Sequence, residues 1–217
     1  MRVFLMLALV SASLAAQPAS AGGFRGDITL GNGNGANSVS LGATRMKAVL
    51  NQRLLLGLGL RTTFVAGDLK LTPAGAKNVP AGVIDTLFVA SSALMLNVSG
   101  HAEVILTSRL QAGLNIDLAG VGAGASRTGS YRASAGAAHT AVSASPAGAN
   151  VFLYGSKDQG SLNSEFFAAW AVNDRFTVRG GLSHQLVEYE AERALSSNTK
   201  RFRSYTNLLF LGVRIAR

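Results

Sequence analysis

Leu106-Thr107-Ser108-Arg109-Leu110-Gln111-Ala112-Gly113-Leu114-Asn115-Ile116-Asp117 carries the clearest structural signal in the chain. Two polar residues, Thr107 and Ser108, stand where a short turn would join two strands. Beyond them the side chains alternate. Leu110, Ala112, Leu114, Ile116 and Leu118 share one face, and Arg109, Gln111, Gly113, Asn115 and Asp117 share the other. A period of two is that of a β-strand, whose successive side chains point to opposite faces.

The same arrangement occurs twice more. Leu50-Asn51-Gln52-Arg53-Leu54-Leu55-Leu56-Gly57-Leu58-Gly59-Leu60-Arg61 precedes it, and Val172-Asn173-Asp174-Arg175-Phe176-Thr177-Val178-Arg179-Gly180-Gly181-Leu182-Ser183 follows it. Each has an apolar residue, two polar residues, an arginine and then alternation. The segments before the turns keep the pattern. Phe88, Ala90, Leu94, Leu96, Val98, Ala102 and Val104 oppose Asp85, Ser91, Asn97, Ser99, His101 and Glu103, and Phe166, Ala168 and Trp170 oppose Ser161, Asn163 and Glu165.

Working outward, the pattern predicts eight strands, over residues 24–31, 36–49, 53–66, 84–105, 108–121, 160–171, 175–189 and 201–215. Strands of about ten residues or more are long enough to cross a bilayer when tilted, whereas soluble strands average five or six. The connections alternate between the three short turns and longer loops at 31–35, about 67–83, 122–159 and 190–200. With an even strand count, all the short turns fall on one side and all the loops on the other. The strand over 36–49 fits least well. Val39, Leu41 and Ala43 share a face with Arg45 and Lys47, so either a bulge or snorkelling of both cations to an interface is expected there.

The N-terminus reads as an export signal. Met1-Arg2 is followed by an apolar run from Val3 to about Ala16 and by the small-x-small site Ala19-Ser20-Ala21, which predicts cleavage before Gly22. Residues 22–217 then form one domain. The chain has no cysteine, which excludes disulfides, thiolate metal sites and cysteine nucleophiles. Its formal charge of +9 would permit nucleic-acid binding, but an exported chain has little occasion to meet nucleic acid.

The signal segment, the Leu50 to Gly59 hairpin, its two echoes and the closing strand together resemble the small eight-stranded outer-membrane β-barrels of Gram-negative bacteria, the OmpA/OmpX-like "porin family" barrels. The resemblance implies an all-β, antiparallel, up-and-down transmembrane barrel in the outer membrane. It also implies contact with outer-membrane lipid and lipopolysaccharide, insertion by the barrel-assembly machinery, and a monomer without cofactor. It departs from the family at Arg217, where most members carry an aromatic assembly signal. A soluble, lipocalin-like barrel is the rival, with the two faces exchanged.

The polar face predicts a network inside the barrel, made of Arg53, Arg61, Arg109, Arg175 and Arg179 with Glu103, Asp117 and Glu165, and joined by Arg25, Asp27 and Asp85. An eight-stranded barrel is just wide enough for side chains to fill, so a paired plug is expected. The alternative is a narrow channel with mild anion preference, because cations outnumber anions on this face. Arg127, Arg132, Lys157, Lys200, Arg201 and Arg203 would make the outer rim basic and suited to lipopolysaccharide phosphates or another anionic ligand. Ser99, His101 and Glu103 share a strand face, but that face points into the barrel. A lipid-hydrolase reading therefore ranks below a non-enzymatic one. His184 has lipid-facing parity, and its neighbour Ser183 does not. Gly31-Asn32-Gly33-Asn34-Gly35 and Gly120-Val121-Gly122-Ala123-Gly124 lack the Lys-Ser/Thr of a phosphate loop and read as flexible loops. No metal-ligand spacing occurs.

Overall fold

The structure, a computed structural model, describes residues 22–74, 85–133, 139–154, 157–195 and 198–216. The signal segment and Arg217 lie outside these. The described residues form eleven strands: β1 (Gly22–Gly33), β2 (Ala36–Val49), β3 (Leu54–Pro73), β4 (Thr86–Ile105), β5 (Leu110–Ala123), β6 (Arg127–Arg132), β7 (Thr140–Pro146), β8 (Ala149–Val151), β9 (Leu162–Ala171), β10 (Phe176–Ala191) and β11 (Arg201–Ala216). Eight of them, β1-β2-β3-β4-β5-β9-β10-β11, form an antiparallel ring that the β11–β1 pairing closes. These eight coincide with the strands expected from alternation.

Hydrogen-bonded partners fix the tilt. From Gly22 they run through Lys47, Leu56, Ala102, Leu114, Phe166, Leu182 and Leu209 and return to β1 at Asn32, ten residues above the start. A stagger of ten over eight strands corresponds to a tilt of roughly 40°, within the usual range for closed barrels. Each residue then rises about 2.5 Å along the barrel axis.

The outward face is apolar and uncovered. Leu209 and Leu211 are each 70% exposed, and Leu58, Leu30, Phe166 and Leu182 also stand open. The inward face buries Thr29, Ser40, Arg61, Asn97, Glu103, Asn115, Glu165, Arg179 and Arg214. A continuous exposed apolar belt around a polar interior is stable only where hydrocarbon replaces water, so the soluble lipocalin-like alternative does not fit. Polar side chains mark one edge of the belt, at Asn32, Asn37, His184 and Asn207, and Phe24, Trp170 and Phe176 mark the other. The two edges lie roughly 20 Å apart at the tilt above, close to the apolar band of a bilayer.

The three short turns fall where expected, but each spans four residues, 50–53, 106–109 and 172–175, and so takes in its arginine. Thr107 Oγ1 accepts from the backbone N–H groups of Arg109 (3.2 Å) and Leu110 (3.0 Å). Asn173 Oδ1 does the same for Arg175 (2.9 Å) and Phe176 (2.8 Å). In the first turn Leu50, Asn51 and Gln52 all take positive φ.

At the other end the structure departs from the four loops expected. Gly31 to Gly35 is no flexible loop. β1 and β2 meet in a two-residue turn with φ of 47° at Asn34 and 77° at Gly35, the left-handed pair that a tight hairpin demands. Gly120 to Ala123 belong to β5 rather than to a loop. β3 runs on to Pro73, and the segment expected as the long loop 122–159 contains β6, β7 and β8.

The physical reason lies in unequal strand lengths. β4 begins at Thr86, yet β5 pairs with it only from Leu94 onward, and β10 continues to Ala191 past its last β9 partner, Leu186. Two unpaired edges are left, and the β6–β7 hairpin fills the gap between them. β11 meanwhile pairs with β3 at Phe202–Pro73. The result is a second, closed ring of six strands, β3-β4-β6-β7-β10-β11, above the eight-stranded one. Its interior is apolar, with Leu69, Leu71, Leu87, Tyr131, Tyr189 and Phe202 at the centre. Phe202 and Tyr131 meet edge to face at 6.2 Å, and Tyr189 Oη lies 3.0 Å from Ser91 Oγ.

Truncating Phe202 should open a cavity in this upper core. Phe202→Ala is expected to cost about 3–5 kcal/mol locally. Hydrogen exchange would then rise at 87–89, 129–131 and 142–144 while 97–103 stays protected. Unchanged exchange in the upper segments would refute the account of this ring as a packed unit.

Candidate functional site: a sealed charge network and an exposed rim

The inward face of the lower ring gathers four guanidinium groups and four carboxylates among the described residues. Glu103 Oε2 accepts from Arg25 Nη1 and from Arg214 Nη1, each at 2.9 Å, and Arg214 Nη2 lies 2.8 Å from Glu103 Oε1. Asp117 Oδ1 accepts from Arg61 Nε (2.9 Å) and Nη2 (2.6 Å). Arg61 Nη1 is also 3.2 Å from Glu165. Glu165 pairs in turn with Arg179, whose Nη1 lies 3.5 Å from Asp27. Four charges of each sign leave this interior electrically balanced, so the cation excess behind the anion-channel alternative disappears.

Amides complete the shell. Asn97 Nδ2 donates to Asp117 Oδ2 (2.8 Å), Asn115 Nδ2 to Glu165 Oε2 (2.9 Å), and Asn150 Nδ2 to Asn97 Oδ1 (2.8 Å). The Arg179 guanidinium lies over the Phe167 ring at 4.3 Å and near that of Phe210 at 5.2 Å. Space for these long side chains comes from inward glycines. At Gly113 a Cβ would lie 2.7 Å from both Glu103 Cγ and Phe167 Cζ.

Of the residues expected in the network, Arg61, Glu103, Asp117, Glu165 and Arg179 are brought together. Arg53 and Arg175 are not. Both sit exposed in the short turns, one residue before their strands begin, where alternation no longer directs a side chain inward. Arg109 is likewise in a turn and only half-buried. Asp85 is buried, but beside the upper ring. Arg214 was not among the residues expected. The signal for it was present: Leu209, Leu211, Val213 and Ile215 take the outward face, which leaves Arg214 inward.

Ser99 Oγ lies 2.9 Å from His101 Nε2, and Thr44 Oγ1 is 3.2 Å from the same nitrogen. Glu103 is occupied by two arginines and does not orient the imidazole. Ser99 is fully buried. The pair therefore has the contact of a nucleophile and a base, with the hydroxyl shielded from solvent.

The rim residues divide. Arg127, Arg132, Lys157 and Lys200 are exposed at the upper end, and Arg127 Nη2 donates to Ser92 Oγ at 2.8 Å. Arg201 and Arg203 serve a different purpose. Arg201 Nε donates to Glu188 Oε1 at 2.6 Å, and Arg203 Nη2 lies 3.1 Å from Glu188 Oε2. The hydrogen bond from Arg201 to Glu188 also raises the guanidinium above its ordinary pKa. Arg203 is buried and donates to the Asp158 carbonyl at 3.0 Å. A cleft of about 400 Å³ between Lys157, Gln159, Arg201 and Arg203 opens beside them. His184, on the outer edge of the apolar belt, stacks on Tyr205 at 5.7 Å and bonds to Asn207 at 2.7 Å.

No family model matches the chain, and no curated protein matches it by sequence. Among solved structures it is similar to Neisserial surface protein A, at 11% identity over 91% of this chain and 98% of that one, with a TM-score of 0.44. It is also similar to a major outer membrane protein from Thermus thermophilus, at 12% identity over 90% and 99%, with a TM-score of 0.41. The Pseudomonas putida toluene transporter TodX is similar at 11% identity over 95% and 93%, with a TM-score of 0.25. The architecture of this chain, a closed antiparallel ring of eight strands with an apolar outer belt, stands on its own strand pairing and burial.

Glu103→Ala leaves Arg25 and Arg214 facing each other in a sealed interior. It should destabilise the barrel by about 3–5 kcal/mol, the usual cost of stranding a buried charge. Arg53→Ala and Arg175→Ala, both exposed, should stay within about 0.5 kcal/mol. Urea unfolding in detergent, read by the mobility shift between boiled and unboiled samples, checks both. Equal effects at Glu103 and Arg53 would contradict the placement.

Proposed function

We propose that the chain is an exported outer-membrane β-barrel with a structural and surface-interacting role rather than a solute channel or an enzyme. The observation that carries this is the filling of its interior. The eight-stranded section is occupied by the balanced ion-pair network, and the six-stranded section above it by an apolar core. A side chain that packs the lumen is unavailable as a pore wall, and a buried Ser99–His101 pair is unavailable to lipid. What remains for recognition is the outside of the upper ring and its exposed cations.

Arg127, Arg132, Lys157 and Lys200 stand exposed above the apolar belt, with Arg132 paired to Thr86 at the far end of β4 and Lys200 seven residues from Asn207. Lipopolysaccharide phosphates, or another anionic surface, are the chemistry that such a rim recognises best. The other parts of the proposal are Sec-dependent export, insertion by the barrel-assembly machinery and a monomeric state. They rest on the signal-like N-terminus and on closure of the ring within one chain.

Two measurements test the reading. In planar bilayers the purified chain should give no steady conductance; stable unitary steps would favour the narrow channel instead. The combined variant Arg127→Gln, Arg132→Gln, Lys157→Gln and Lys200→Gln should keep the heat-dependent mobility shift yet lose lipopolysaccharide on purification. A drop of roughly tenfold or more is expected, since each cation beside an anionic surface contributes about 1 kcal/mol. Full retention by the variant would sink the rim as the contact.

A further inference from the structure

The barrel carries two cations where a lipid-facing strand should have none. Arg45 and Lys47 continue the outward row of Val39, Leu41 and Ala43 on β2. The pairing of β2 with β1 and β3 is unbroken along its whole length, so no bulge turns either side chain inward. Of the two expectations raised by this strand, the bulge is excluded, which leaves snorkelling towards an interface.

We infer that Arg45 and Lys47 form a binding site for the phosphate of an anionic glycerophospholipid, in the leaflet at the short-turn end of the barrel. Four observations support it. First, position. At the roughly 40° tilt of the strands, Arg45 and Lys47 lie within roughly 5 Å in height of Phe24, Trp170 and Phe176, the residues that mark this edge of the apolar belt. That is the level of lipid headgroups.

Second, charge. The outward neighbours on β1 are Phe24, Gly26 and Ile28, and those on β3 are Leu54, Leu56, Leu58 and Leu60. None is acidic, so the neighbouring strands supply no counter-ion, and a cation bordering hydrocarbon needs one. Third, orientation. The Arg45 guanidinium lies 5.8 Å from the centre of the Phe24 ring, which steers it along the barrel surface. Fourth, shape. Arg45 and Lys47 line an open groove of about 820 Å³ on the outer surface whose other side chains are Met46, Val49, Leu56 and Leu58. A headgroup held by the cations would lay its acyl chain along this groove. The occupant is anionic rather than zwitterionic because the ammonium of a zwitterionic head would add a third positive charge to an uncompensated pair.

The test uses the full chain in detergent, titrated with phosphatidylglycerol or with phosphatidylcholine and read by native mass spectrometry. The protein should retain phosphatidylglycerol in preference, by roughly fivefold per cation engaged. Arg45→Gln with Lys47→Gln should abolish the preference, while Lys157→Gln with Lys200→Gln on the rim should leave it intact. The heat-dependent mobility shift reports folding in every variant. A second measurement needs no variant. A photoactivatable phosphatidylglycerol with the reactive group on its head should label 44–49 and 54–58 of the wild-type chain. The inference is overturned by equal retention of the two lipids, by a preference that survives the double substitution, by labelling elsewhere, or by a dimer mass showing that a second copy covers this face.

Discussion

Four buried arginines paired with four buried carboxylates hold the lower barrel in register. Eight strands at this stagger enclose a space that side chains must fill, and the outward face has already taken the apolar residues. Charge inside such a space is tolerable only when every member has a partner. Arg61 bridges Asp117 and Glu165, Arg179 bridges Glu165 and Asp27, and Glu103 joins Arg25 to Arg214. These links connect β1, β3, β4, β5, β9, β10 and β11 across the lumen, so they set which strands stand opposite each other. A pairing slip of one residue would turn these groups into hydrocarbon.

The two stacked rings divide the work by polarity. The lower ring faces lipid and therefore keeps its polar residues inside. The upper ring lies beyond the apolar belt and reverses this, with Leu71, Leu87, Tyr189 and Phe202 inside. The change occurs within single strands. β3 passes from Arg61 and Thr63 on its inward face to Val65, Leu69 and Leu71, and β4 passes from Asn97 to Met95 and Ala93. Glu188 with Arg201 and Arg203 ties β10 to β11 beside this upper section.

Much of this was legible in the sequence. Alternation from Leu110 to Leu118 and from Phe176 to Leu182 identified the strands and sorted inward from outward residues, because a strand offers each side chain only two directions. Arg61, Glu103, Asp117, Glu165 and Arg179 followed from parity alone. Arg53, Arg109 and Arg175 were misplaced by the same rule, applied one residue into a turn whose backbone no longer alternates. The segment 122–159 looked like a loop because its Ala, Ser and Gly residues carry little strand propensity or periodicity. Its strands exist because β4 and β10 outlast β5 and β9, and a free edge recruits backbone with small regard for side-chain type.

The ring of eight strands, the polarity of its two faces and most of the charges enclosed can be read from residue order. These are local consequences of a period of two. Folding in three dimensions was needed to show that the interior charges balance through Arg214, that the ends of unequal strands close into a second ring, and that Arg201 and Arg203 hold Glu188. It also decided that Arg45 and Lys47 stand at the lower edge of the apolar belt, with no acidic outward neighbour on β1 or β3. Each of these depends on the register between distant strands, which no single segment encodes.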